Sequence, residues 1–257
     1  MNIKYALGAI VSIPLLPILY FQGKRIRKTI PKLPEATGIE GISNVSSDQT
    51  IQLITIGEST IAGVGASTHK TAFTGTLATA LSAEISTNVA WKVYAKSGYT
   101  AKRVTHKIIK TISEKPVDLI VIGLGGNDSF VLNTPKKWNQ NIRELIATIR
   151  EKYPETPIVF INMPPIKEFT AFSKTIKFVI GNLVLHLGKE LEKIVGDYEN
   201  VHYYARKIEF EDYVKRMNLN NPITDFFSDG VHPSEFAYQV WAKDVAKYIL
   251  EKKIINI

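Results

Sequence analysis

Four short stretches of this chain carry residue types that can do nucleophilic chemistry, and they occur in an order one site could use. Leu53-Ile-Thr-Ile-Gly-Glu-Ser59-Thr60 is an apolar run that ends in a glycine and then offers a hydroxyl. Gly98 follows the next apolar run, Gly125-Gly126-Asn127-Asp128 ends the third, and Asp229-Gly-Val-His232 lies near the C-terminus. A serine is a poor nucleophile at its free pKa and needs a base, so Ser59 calls for a partner. His232 is the candidate, since imidazole is the side chain suited to moving protons near neutral pH. Asp229 stands three residues earlier across a glycine, so a local turn can aim its carboxylate at imidazole Nδ1, fixing the tautomer and stabilising the imidazolium. Taken singly, each stretch is an ordinary loop: a serine after a strand, an asparagine in a turn, an exposed histidine near an acid. Their joint order favours a catalytic reading.

Alternating elements must position these residues. Ile51–Ile56, Trp91–Ala95, Val117–Leu124, Pro157–Ile161 and Val201–Ala205 read as strands, and the unbroken apolar run of the third suits a central parallel strand. Between them, Phe73, Leu77, Leu81 and Ile85 repeat at helical spacing within Thr71–Ile85. Ala101–Ile112 and Lys137–Glu151 read as helices in the same way. Ser234–Leu250 closes the chain, with Ser234 as its N-cap. Strands alternating with helices of this length imply a parallel sheet covered on both faces. Between the fourth and fifth strands lies a long insertion, Met163–Asp197. Its first half holds Phe169 and Phe172 and its second half reads as an apolar-faced helix.

Composition narrows the function classes. The 257 residues are 45% hydrophobic and 22% charged, ordinary for a globular chain. With no cysteine there is no disulfide scaffold, no zinc–cysteine cluster and no Cys nucleophile. The net charge of +8 is concentrated at the N-terminus, where Lys4, Lys24, Arg25, Arg27, Lys28 and Lys32 meet no acid. The rest holds 26 basic and 24 acidic residues, so the body lacks the footprint of a nucleic-acid binder, and no nucleic-acid partner is expected. The basic excess adjoins Tyr5–Phe21, 17 residues without a charge, which suggests a membrane. That run is short for a spanning helix, and Gly8, Pro14 and Pro17 interrupt it. The expectation is an uncleaved anchor over 1–23, a basic linker over 24–50 and a catalytic domain over 51–257. The basic cluster after the run would place the body in the cytoplasm by the positive-inside rule. A cleaved signal with an exported body, and a buried or surface helix, are the alternatives.

Together the four motifs resemble the SGNH, or GDSL, hydrolases: Gly57-Glu-Ser59 the first block, Ser97-Gly98 the second, Gly125-Gly126-Asn127-Asp128 the third and Asp229-Gly-Val-His232-Pro233 the fifth. The resemblance spans residues 51–250 and departs at Glu58, where the family has Asp. It implies a three-layer α/β/α sandwich of flavodoxin-like type, with five parallel strands in the order 2-1-3-4-5. It implies acyl-ester hydrolysis through an acyl-Ser59 intermediate, with His232 as base and then acid and Asp229 orienting it. It further implies an oxyanion hole made by the N–H of Ser59, the N–H of Gly98 and the Asn127 amide, with no metal or organic cofactor. Glu58 is expected to be dispensable to the chemistry and Asp128 to be structural. The apolar insertion would wall the site and favour an acyl-ester substrate. Thioester cleavage and acyl transfer use the same intermediate.

Two readings from other classes compete. Gly63-Val-Gly65 follows a strand, as a dinucleotide-binding loop would, but Thr68 stands where that fingerprint wants a small residue. A catalytically dead binding module is the other, against which the complete set Ser59, Asp229, His232 and Asn127 argues. His69, His106, His186 and His202 share no metal-ligand spacing and read as surface residues. Trp91, Trp138 and Trp241 read as packing.

Overall fold

Strands that are apolar at consecutive positions can be buried on both faces, and the sheet of this protein uses that. In a computed structural model, residues 3–44 and 47–255 are described. Residues 1–2, 45–46 and 256–257, which fall within the expected anchor, linker and catalytic domain, lie outside them. Strands Glu40–Ser43 (β1), Thr50–Gly57 (β2), Asn88–Ala95 (β3), Leu119–Gly123 (β4), Ile158–Phe160 (β5) and Val201–Tyr203 (β6) form one sheet in the order β1-β3-β2-β4-β5-β6. From β3 to β6 all pairs are parallel, in the 2-1-3-4-5 order expected of five strands. The sixth strand is an addition. β1 pairs antiparallel with β3, Gly41 opposite Trp91, inside the stretch read as linker. Its four residues hold only one large apolar side chain, too little for a period to show.

The helices are Ile3–Ser12 (α1), Leu16–Thr29 (α2), Phe73–Ile85 (α3), Ala101–Lys107 (α4), Gly126–Phe130 (α5), Pro135–Arg150 (α6), Lys174–Val195 (α7), Phe210–Arg216 (α8) and Glu235–Glu251 (α9). Successive strand residues point to opposite faces. Leu53, Leu119 and Val121 pack under α3 and α9, against Phe73, Leu77, Tyr238 and Trp241. Ile54, Ile120 and Ile122 pack on the other side under α4, α6 and α7, against Trp138, Ile142 and Leu187. The result is the expected three layers. Leu77 and Leu187 are fully enclosed, and truncating either to Ala costs about 2–5 kcal/mol. Trp91, Trp138 and Trp241 are buried packing residues. Two caps act as the sequence suggests or allows: Ser234 Oγ accepts the Ala237 N–H at 3.1 Å, and Ser173 Oγ accepts that of Ile176 at 3.3 Å. The expected helix over 101–112 is shorter, because Thr111 Oγ1 bonds back to the Ile108 carbonyl and its end tightens into a 3-10 turn.

The N-terminal run is broken by its prolines. No helix among the described residues is long and apolar enough to cross a membrane. Pro14 and Pro17 lack an N–H, and each sits at the opening positions of a new helical stretch, so the run divides into α1, a 3-10 turn at Ile13–Leu15 and α2. Both helices pack along α7. Tyr5 meets His186 edge-on at 5.7 Å, and Ser173 Oγ donates to Gln22 Oε1 at 2.7 Å.

Candidate active site

The parallel strands end together at one edge of the sheet, where open α/β folds bind ligands. Ser59 lies two residues beyond β2, half-buried, in a turn closed by the Ala62 N–H on Glu58 O (2.8 Å) and the Val64 N–H on Ser59 O (3.0 Å). Ser59 Oγ has no hydrogen-bond partner among the described residues. The C-terminal loop reaches this turn from the far end of the chain. Ser228 Oγ donates to Gly65 O at 3.0 Å and the Tyr238 hydroxyl to Val64 O at 2.8 Å.

Within that loop the side chain of Asp229 is enclosed and organises His232. Its Oδ1 accepts the N–H groups of Val231 (2.9 Å) and His232 (2.7 Å), and its Oδ2 lies 2.7 Å from His232 Nδ1. A carboxylate on Nδ1 keeps the hydrogen there and leaves Nε2 bare. Burial alone would raise the Asp229 pKa, but the hydrogen bonds and charge of His232 bring it below its ordinary value. Gly230 makes the turn possible at φ +83°, where an added Cβ would strike Ala171 and Thr170. The Ala171 N–H donates to Gly230 O at 3.2 Å, so the insertion braces the histidine loop.

Opposite lie Gly98 and Asn127. Gly98 has φ +82° with open space around its Cα, so backbone conformation and not crowding demands the glycine. Asn127 sits in the first turn of α5, and its Nδ2 donates to Tyr99 O at 3.1 Å. Three carboxylates hold this side together. Glu58 Oε1 and Oε2 accept the N–H groups of Gly126 and Asn127, each at 2.8 Å. Asp128 Oδ2 accepts the Ala101 N–H at the start of α4 (2.8 Å), and its Oδ1 takes Asn133 Nδ2 (2.7 Å). Glu35 takes the Ser97 N–H (2.8 Å) and pairs with Lys96 (2.9 Å).

Glu58 is therefore more than a neighbour of Ser59: it is a positioning residue for Asn127. Burial pushes its pKa up to about 7, against the pull of the two backbone N–H groups. Its contribution to stability is complete below about 4.5 and is lost as pH rises through about 7. In Glu58→Gln one of the two N–H groups loses its acceptor. We expect kcat to fall about tenfold at constant KM, while heat stability declines less than that of wild type between about pH 5 and 8. An unchanged kcat would show that the clamp does not matter to turnover.

Ser59, His232, Gly98 and Asn127 line one cleft of about 810 Å³. Phe169, Phe172, Ile176 and Ile180 of the insertion form one wall, as expected of it. Leu19 and Ile26 of α2 form part of another, which the sequence did not suggest.

The remaining candidates fall elsewhere. Gly63 packs on Ala36 and His69, and a Cβ on Gly65 would meet Pro233 O at 2.1 Å, so that loop is filled by protein and has no room for a phosphate. His69, expected at the surface, is buried, its Nδ1 has no partner among the described residues and its pKa is lowered to about 4 by burial. His106 pairs with Glu144 at 3.4 Å. Among the described residues no three His, Asp or Glu side chains gather as metal ligands would.

The model of the GDSL-like lipase/acylhydrolase family matches residues 55–240. No curated protein matches the chain. Among solved structures, a family 3 carbohydrate esterase from Clostridium thermocellum is 16% identical with a TM-score of 0.59, covering 81% of this chain and 100% of its own. A lipolytic protein of the G-D-S-L family from Veillonella parvula is 16% identical with a TM-score of 0.55, covering 78% and 97%. A Streptococcus pneumonia protein named for platelet activating factor is 15% identical with a TM-score of 0.54. It covers 97% of this chain and 100% of its own, a span that takes in the N-terminal helices. At such identities the likeness is one of fold.

Proposed function

The chain belongs to the GDSL-like lipase/acylhydrolase family, and from that premise we propose that it hydrolyses carboxylic esters through an acyl-Ser59 intermediate. Family membership supports hydrolase activity; the residue roles come from the cleft. The observation that carries them is the convergence of Ser59, the Asp229-bound His232, Gly98 and Asn127 on one cavity. Ser59 Oγ attacks the ester carbonyl carbon as its proton passes to His232 Nε2. The carbonyl oxygen becomes an oxyanion, met by the Ser59 and Gly98 N–H groups and Asn127 Nδ2. His232 then returns the proton to the departing alkoxide as the C–O bond breaks. A water repeats the sequence on the acyl-enzyme: its proton goes to His232, the acid leaves, and Ser59 Oγ is reprotonated. A fluorophosphonate probe on the full chain should mark Ser59. Marking of another serine in active protein, or none, would sink the assignment.

The substrate class follows from the walls. A cleft faced by Phe169, Phe172, Ile176 and Ile180 gains apolar burial from an acyl chain and little from an acetyl group. Replacing Phe169 and Phe172 by Ala should shift the chain-length profile towards short esters and leave acetyl-ester turnover within about twofold. A uniform loss across chain lengths would assign the pair to folding instead.

A further inference from the structure

We infer that α1 and α2 seat the protein on an anionic lipid surface, with the cleft mouth turned to the lipid, so that the acyl chain of a bilayer-held ester enters the site directly. The inference rests on the ester-cleaving role of the cleft. In place of a spanning anchor it has two successive helices, broken at the prolines, lying along one leaflet.

The faces of α2 divide the work. At about 100° per residue, Leu19, Gln22 and Ile26 share one face. Leu19 and Ile26 pack with Phe169, Phe172 and Ile176, and Gln22 is held by Ser173, so this face is committed to the body and to the cleft wall. Ile18, Phe21, Arg25 and Lys28 form a neighbouring stripe turned outward and all are exposed, Phe21 by 68%. An exposed Phe and Ile followed along one stripe by cations is the arrangement of an interfacial helix: apolar groups enter the acyl region and the charges stop at the phosphates. Lys24, Arg25 and Lys28 have no ion-pair partner among the described residues, so their charge is available to a surface.

The rest of the exposed apolar surface adjoins this stripe. Of the thirteen large apolar residues exposed among those described, all but Ile39 and Ile42 lie on α1, α2, the turn between them, or the neighbouring lip. That lip is Phe130, Val131 and Leu132, directly after Asn127, with Phe178 of α7. Ile13 and Leu16 share a groove with Leu132 and Phe178, and Leu16 and Leu132 also line the catalytic cleft. Apolar surface is thus continuous from the outside of these two helices, over the lip, into the cavity beside Ser59. A patch of this kind beside basic residues marks a contact site, and the cations select an anionic partner. Helices lying on one leaflet fix no side of the membrane, so the charge-based cytoplasmic placement does not carry over.

The test is flotation of the full chain with vesicles of phosphatidylcholine alone or with about one third phosphatidylglycerol, and the turnover of an ester dissolved in water or held in those vesicles. Wild type and Ser59→Ala should float equally with the anionic vesicles, which separates lipid seating from the catalytic assignment. Lys24→Gln/Arg25→Gln/Lys28→Gln should weaken anionic binding about fivefold per charge and remove its salt dependence. Ile18→Ser/Phe21→Ser should weaken it at least about tenfold. Both variants should keep wild-type turnover of the dissolved ester, which also reports that they fold, and lose turnover of the vesicle-held ester in step with binding. Wild-type flotation by either variant, or equal binding to neutral vesicles, would overturn the inference. Loss of self-association in place of vesicle binding in the Ile18/Phe21 variant would overturn it too and give the face to a second copy.

Discussion

Ser59→Ala should lower kcat/KM for a short dissolved ester by about 10⁴–10⁶-fold, with the fold and vesicle binding intact. The loss is large because the other groups act only through this oxygen. His232 has no other proton to take, and Asp229 acts through His232. What remains is the contribution of the oxyanion donors and binding, roughly 10³–10⁴ over water. His232→Ala should therefore cost nearly as much, and the double variant little more than either. Single-turnover kinetics of the purified variants measure this directly. Losses that multiply in the double variant would mean that Ser59 and His232 work independently, and the acyl-enzyme mechanism would fail.

Asn127→Ala should lower kcat by about 10²–10³ with KM nearly unchanged. The amide is held where a turn residue needs no holding: its N–H is tied to buried Glu58, its Nδ2 points along the lip to Tyr99 O, and its neighbour Asp128 is tied to α4. Such fixed donors serve a charge that exists only in the transition state. Asn127→Asp is the sharper probe. It preserves size but sets a carboxylate against the oxyanion, and should cost more than Ala. Equal activity in wild type and both variants would reduce Asn127 to a turn former.

How much of this was legible in the sequence depends on whether a residue's partner was near it in the chain. Leu53–Ile56 and Leu119–Ile122 read as strands because residues buried on both faces leave an unbroken apolar run. Asp229 and His232 read as a pair because three residues and a glycine close the loop locally. The buried part of Glu58 had a signal that was not used: an acid at the end of an apolar run must find partners, and Gly126 and Asn127 supply them from 68 and 69 residues away. Glu35 had none. It follows Pro34 in a stretch without period, yet it holds the Ser97 N–H beside Gly98. The N-terminal run reads two ways because its hydropathy fits insertion into a bilayer as well as packing on α7. Pro14 and Pro17 decide where the helix breaks, but only the contacts of Leu19 and Ile26 show that one face is already occupied.

The joining of the Ser59 turn to the C-terminal loop also has a consequence in time. Ser228 and Tyr238 reach back 163 and 174 residues to Gly65 and Val64, and contacts of such separation close late because the loop entropy must be met first. Ser59, Gly98 and Asn127 can take their places around β2 and β4 before the C-terminal loop docks. On the proposed roles, Ser59 then gains its base only when Asp229, His232 and α9 close onto the Ser59 turn.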